Sequence, residues 1–211
     1  MRKFDEWQGI FDKKAKELYP ATDPSHDILH IRRVVKSALK LAKEEGAELD
    51  VVMPAAYFHD FVNVPKDDPR RHQASTLSAS AAAEYLASAG YPAQYLDGIR
   101  HAIAAHSFSA GIPPETIEAK VVQDADRLDA LGAVGIARCF STSALLGRPY
   151  YHEGDMLAEA RTPDDKNFAI DHFFVKLFRV AEMLQTKSAR EEGQRRVVFM
   201  REYLKQLRSE A

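Results

Sequence analysis

The stretch "AAYFHDFVNVP", residues 55–65, sets a histidine and a carboxylate side by side, His59 and Asp60, at the end of an oily segment. A buried charge without a partner is strongly unfavourable, so such a pair calls for a counter-charge, a hydrogen-bond network or a metal ion. Two other stretches offer residues of matching chemistry. "SHDILHIRRV" carries His26 and His30 one turn apart, and "VVQDADRLDALG" carries Asp124, Asp126 and Asp129. His30 precedes Ile31 and lies one turn before Val34, near an apolar face. Asp126 lies one turn past Val122 and one turn before Ala130, so it points at least partly inward, where an unpaired aspartate is unusual. His30, His59, Asp60 and Asp126 are therefore the candidate metal ligands, converging from three helices. Two neutral imidazoles and two carboxylates cancel the charge of one divalent ion. Nitrogen and oxygen donors without a thiolate suit Mn, Fe, Co, Ni or Mg with open water positions, rather than a closed structural zinc site. His26 reads as part of a helix start. Asp124 and Asp129 read as solvated or as lying behind the ligands.

The elements that position these residues are helical. Apolar residues recur at helical spacing, and strand patterns are weak. Helices are expected over 2–18, 27–45, 51–62, 73–89, 93–107, 115–131, 133–146, 164–184 and 188–208. Gly46 and Gly90 stop the second and fourth. Asp50 is a candidate cap for the third, with Pro54 tolerated in its first turn. The expectation is an all-α chain of about nine helices forming one domain, residues 1–211. The long irregular run "GRPYYHEGDMLAEARTPDD" includes a candidate lid, residues 147–163, since loops of that length are often functional. Neighbouring side chains on a helix diverge by about 100°, so His59 and Asp60 can share an ion only at a helix end, in a cleft between helices.

The order His30, then the His59–Asp60 doublet, then Asp126 resembles the H…HD…D pattern of the HD-domain superfamily of metal-dependent phosphohydrolases. The resemblance covers roughly residues 20–135, the implied metal-binding core, and residues 136–211 look like accessory helices of a bacterial single-domain subgroup. A lone HD dipeptide is weak evidence, whereas all the elements in order and in helical context are specific. The segment "HAIAAHSFS" also looks like part of that subgroup, and it would bring His101 and His106 near the same cleft. On a regular helix those two project about 140° apart, so at most one is an easy ligand. They leave room for a second metal. The resemblance implies hydrolysis of a phosphoester or phosphoanhydride bond of a small phosphorylated molecule, a nucleotide first, by metal-activated water. Asp60, His101, His106 and Lys66 are the catalytic candidates. The remaining phosphate charge needs cations, for which Lys66, Arg70 and Arg127 are candidates, with Lys166 and Lys176 if the later helices close over the cleft. Arg33 and Arg71 stand close by in sequence.

Composition narrows the classes. The 211 residues carry 29 basic and 31 acidic side chains, a formal net charge of −2. That balance gives no footprint for duplex nucleic acid or an anionic membrane. No apolar run approaches the roughly 20 residues that span a bilayer, and "MRKFDEWQGIF" lacks a signal peptide's apolar core. A cytoplasmic protein is expected, as a monomer or homodimer. The one cysteine, Cys139 in "GIARCF", reads as a small core residue. There is no GxxxxGK[ST], GxSxG or GxGxxG motif. Three rivals remain: a regulatory module that binds metal or nucleotide without turnover, a di-iron oxygenase on the same scaffold, and a purely structural helical bundle.

Overall fold

A computed structural model describes residues 3–19, 27–64 and 68–211. His26 and Lys66 lie outside the described residues. Among these residues there is no strand, and the fold is all-α with nine α-helices.

The described residues divide into two compact units. One holds the chain up to Asp126 together with Gln185–Ser188, and the other holds Arg127–Leu184 and Ala189–Ala211. In the first unit α1 (Phe4–Leu18), α2 (Ile28–Glu45), α4 (Ala74–Ser88) and α5 (Leu96–His106) pack around α3 (Leu49–Phe58). Every residue of α3 from Val51 to Phe58 is buried, which explains its near-continuous apolar sequence. Pro54 sits inside this helix and has no N–H for the carbonyl of Asp50. The Tyr91 hydroxyl donates to that carbonyl instead, at 2.7 Å. α2 starts where the Asp27 side chain accepts the His30 N–H at 2.8 Å and ends at Gly46, whose φ of +70° is a left-handed cap.

α3 ends four residues earlier than its pattern predicts. The Val62 N–H goes to the Ser78 hydroxyl at 3.0 Å, and Phe61 closes a tight turn on the Phe58 carbonyl. Its cap is the Glu48 side chain, which accepts the Asp50 N–H. α6 (Ile117–Asp129) runs across the division between the units.

In the second unit α7 (Gly132–Leu145) and α9 (Lys187–Glu210) contribute Phe140 and Tyr203 to an aromatic cluster with Phe173 and Tyr150. Cys139 is buried on α7, as its apolar context predicts, and burial raises its thiol to about 11. The helix expected over 164–184 is much shorter. It consists of a π-helical turn, Phe173–Leu177, followed by α8 (Phe178–Glu182). The cause is Asp171, fully buried, whose carboxylate takes the Arg161 guanidinium at 2.8 Å and the backbone N–H of Asp164. A helical chain at 164–171 cannot make those bonds. The long segment before it is irregular but internally bonded, with Ala169 and Ile170 donating to the carbonyls of Pro149 and Tyr150.

Candidate metal centre

Four elements of the first unit deliver five side chains to one place. His30 comes from the first turn of α2, where Asp27 fixes the backbone. His59 and Asp60 follow the last turn of α3. His106 is the last residue of α5, and Asp126 lies near the end of α6. The Nε2 atoms of His30 and His59 are 3.4 Å apart. Asp126 Oδ1 lies 3.6 Å from His30 Nε2 and 3.8 Å from His59 Nε2. Asp60 approaches His59 Nε2 and His106 Nε2, each at 3.6 Å.

These residues fit a divalent ion on two grounds. Metal–donor bonds of about 2.1 Å put neighbouring donors about 3.0 Å apart in an octahedron and about 3.4 Å apart in a tetrahedron. The observed separations lie within a few tenths of an ångström of the latter. The ring tautomers also match. His59 Nδ1 lies 3.0 Å from the Ala56 carbonyl, and His106 Nδ1 lies 2.7 Å from the Ile103 carbonyl. A carbonyl only accepts, so both Nδ1 atoms carry a proton; His59, whose burial favours the neutral ring, turns its Nε2 lone pair inward, while His106 Nε2 faces the Asp60 carboxylate.

The electrostatics agree. Burial pushes His59 below its ordinary value, against the upward pull of Asp60 and then Asp126. Burial also lowers His106, but its hydrogen bond to Asp60 and the charges of Asp60 and Asp126 outweigh that, and the net shift is upward. The three imidazoles are buried, while the Asp60 and Asp126 side chains are 34% and 32% exposed. The cluster therefore has a dry histidine side and a wet carboxylate side.

Neighbouring residues hold these ligands in place. The Tyr19 hydroxyl, buried and raised well above its ordinary value by that burial, donates to the Tyr57 carbonyl behind the doublet. Gln123, on α6, donates to the Ala105 carbonyl at 2.8 Å, tying the helix of Asp126 to that of His106. Neither Tyr19 nor Gln123 carries a sequence signal for a supporting role.

The other candidates are distributed as follows. His101 is engaged elsewhere, its Nε2 accepting the Glu115 N–H at 3.1 Å. Arg70 pairs with Asp68 at 2.8 Å on an exposed turn, Pro69–Gln73. The Arg71 guanidinium donates to the Val64 carbonyl. Arg127 donates to the Met183 carbonyl at 2.6 Å. Lys166 and Lys176 are exposed in the second unit.

Asp124 and Asp129 overturn the expectation of solvated groups. Asp124 is fully buried and accepts the Gln185 N–H, the Thr186 N–H and the Thr186 hydroxyl at 2.7–3.1 Å. Asp129 is 4% exposed and pairs with Arg138 at 2.8 Å.

The HD domain family matches residues 28–131, a span that contains all five clustered residues. The chain belongs to the HD-domain superfamily. It is 37% identical over 192 residues to the Bacillus subtilis protein YpgQ, described as uncharacterized, covering 88% of this chain and 85% of that protein. The crystal structure of YpgQ in complex with ADP aligns with a TM-score of 0.76 at 34% identity, over 98% of this chain and 95% of that one. An HD-superfamily hydrolase from Bacillus thuringiensis aligns with a TM-score of 0.76 at 28% identity, over 98% and 97% of the two chains. Among the described residues no helix is long and apolar enough to cross a membrane.

Proposed function

We propose that this protein is a metal-dependent phosphohydrolase that cleaves a phosphoester or phosphoanhydride bond of a small phosphorylated molecule, a nucleotide first. The observation that carries this reading is the convergence of His30, His59, Asp60, His106 and Asp126, with the His59 and His106 rings each fixed by a hydrogen bond from Nδ1 to a backbone carbonyl. Its place in the HD superfamily supports hydrolysis, and the ADP complex of YpgQ supports a nucleotide-type ligand.

His30, His59, Asp60 and Asp126 would hold a divalent ion of the Mn, Fe, Co, Ni or Mg type. When bound, such an ion supplies Lewis acidity: it polarises a phosphoryl oxygen and makes a water acidic enough to attack phosphorus. The chain's own residues do the rest. The buried imidazoles exclude water from one side, so substrate enters on the side of Asp60 and Asp126. Asp60 accepts a proton from the attacking water. His106 Nε2, 3.6 Å from Asp60 Oδ1, holds a proton within reach of a departing oxygen. Arg70, exposed on the turn Pro69–Gln73 after the doublet, and Lys66 are the candidates for the phosphate charge.

The test is a hydrolysis screen on metal-stripped protein. Mn²⁺, Mg²⁺, Ni²⁺ or Fe²⁺ is returned with nucleoside mono- and triphosphates and a generic phosphoester, with Asp60→Ala in parallel. Metal-dependent release of phosphate or pyrophosphate by the wild type, lost in the variant, is the expected result. Saturable nucleotide binding without turnover on any substrate would replace this reading with that of a binding module.

A further inference from the structure

The turn that follows α5 presents an aromatic ring that the metal cluster does not use. Phe108 lies two residues after His106 and is 77% exposed. Single exposed apolar residues are common, so exposure alone means little. Here it is joined by a defined turn and by place. Ser107 is extended, Phe108–Ala110 form a tight turn, and Gly111 closes it at a φ of +66° with its N–H on the Phe108 carbonyl. A residue with a side chain is strained at that φ, so the glycine lets the turn hold its shape. Among the described residues no aromatic ring packs on Phe108, although Phe58, Phe61 and Tyr85, near the same doublet, pack on one another. The turn rests against Pro69–Gln73, in the loop that follows His59 and Asp60, and against α4. The hydroxyls of Ser107 and Ser109, 2.9 Å apart, flank the ring with polar groups.

We propose that Phe108 is the platform on which the base of a nucleotide substrate stacks, a proposal that rests on the nucleotide reading of the site. One residue separates His106 from Phe108, so their Cα atoms lie at most about 7 Å apart, about the span of one ribose and one phosphate. A phosphate held at the cluster would then leave its base over Phe108. Every base offers a π-face, and such stacking discriminates weakly between bases. The site would take nucleotides as a class and lose affinity for phosphate compounds lacking a base.

The experiment compares wild type, Phe108→Ala and Phe108→Trp on a nucleoside triphosphate and on inorganic tripolyphosphate with the same metal. Removing a stacking aromatic weakens base binding about 5- to 150-fold. Phe108→Ala should raise KM for the nucleotide by about tenfold or more, leave tripolyphosphate unchanged, and be rescued by Phe108→Trp. A second readout needs no turnover: with the same metal, 2-aminopurine riboside triphosphate should lose fluorescence on wild type and on Phe108→Trp, and keep it on Phe108→Ala. Equal loss on both substrates, no loss on either, or quenching that ignores the substitution would each overturn the proposal. The two readings fail separately. Normal nucleotide turnover by Phe108→Ala with unchanged quenching sinks the platform and leaves the hydrolase. Phe108-dependent quenching without turnover by the wild type sinks the hydrolase and leaves the platform.

Discussion

Asp124 and Asp126 stand two residues apart on α6 in different surroundings, Asp124 among backbone and hydroxyl donors and Asp126 beside imidazoles. Replacing each by alanine should give opposite phenotypes. In Asp124→Ala the Thr186 N–H and hydroxyl lose their acceptor in a residue that is 3% exposed. A buried donor left without a partner costs about 1–3 kcal/mol. The Gln185 N–H loses its acceptor too, but Gln185 is exposed and water can replace it at smaller cost. The expected loss is about 3–4 kcal/mol, since two buried donors carry most of it. For a chain of this size that lowers Tm by about 10 °C. Asp126 is a third exposed and is surrounded by the other donors of the cluster, so Asp126→Ala should change stability by less than about 1 kcal/mol in metal-free protein. Urea unfolding in the presence of a chelator measures both, because bound metal would otherwise add its own stabilisation. Equilibrium dialysis with Mn²⁺ completes the comparison: Asp124→Ala should keep metal binding wherever it is folded, and Asp126→Ala should lose it. The reasoning fails if Asp124→Ala costs less than about 1 kcal/mol, or if Asp126→Ala unfolds the protein yet still binds Mn²⁺ where folded.

Two further predictions concern the scaffold. Tyr91→Phe should cost about 1–2 kcal/mol by urea titration, because it strips the Asp50 carbonyl of the donor that stands in for the one Pro54 lacks. In a Pro54→Ala background, where a backbone N–H reaches that carbonyl, the same change should cost less, and equal costs would refute the account. Glu192 is held at about 2, first by its hydrogen bond to Arg195 and then by that to Arg196, with burial opposing. A lowered carboxylate stabilises above its unfolded value and loses that contribution as pH falls through its folded one. The stability difference between wild type and Glu192→Gln, modest because the pair meets solvent, should therefore be constant near pH 6 and shrink between about pH 4.5 and 2. A difference that grows on acidification would contradict it.

Much of the site was legible before any coordinates. His30, the His59–Asp60 doublet and Asp126 stand out because a charged or ligating residue in an apolar helical pattern is conspicuous, and the structure brings these four together. The all-α architecture and several helix ends followed from local rules: Gly46 as stop, and unbroken apolar spacing in α2. Such features are settled within a few residues of chain, so the sequence by itself determined them. Tertiary structure decided what lies opposite each face. Periodicity points Asp126 partly inward, but it does not show that Asp126 meets imidazoles or that Asp124, on the opposite face of α6, meets buried backbone donors. It cannot choose between His101 and His106, which are distinguished by the Glu115 N–H on one side of α5 and Asp60 on the other. The long helix expected over 164–184 failed for the same reason. A pattern of phenylalanines shows which residues want burial, whereas the carboxylate of Asp171, bonded to Arg161 ten residues away, determines how the backbone before it must run.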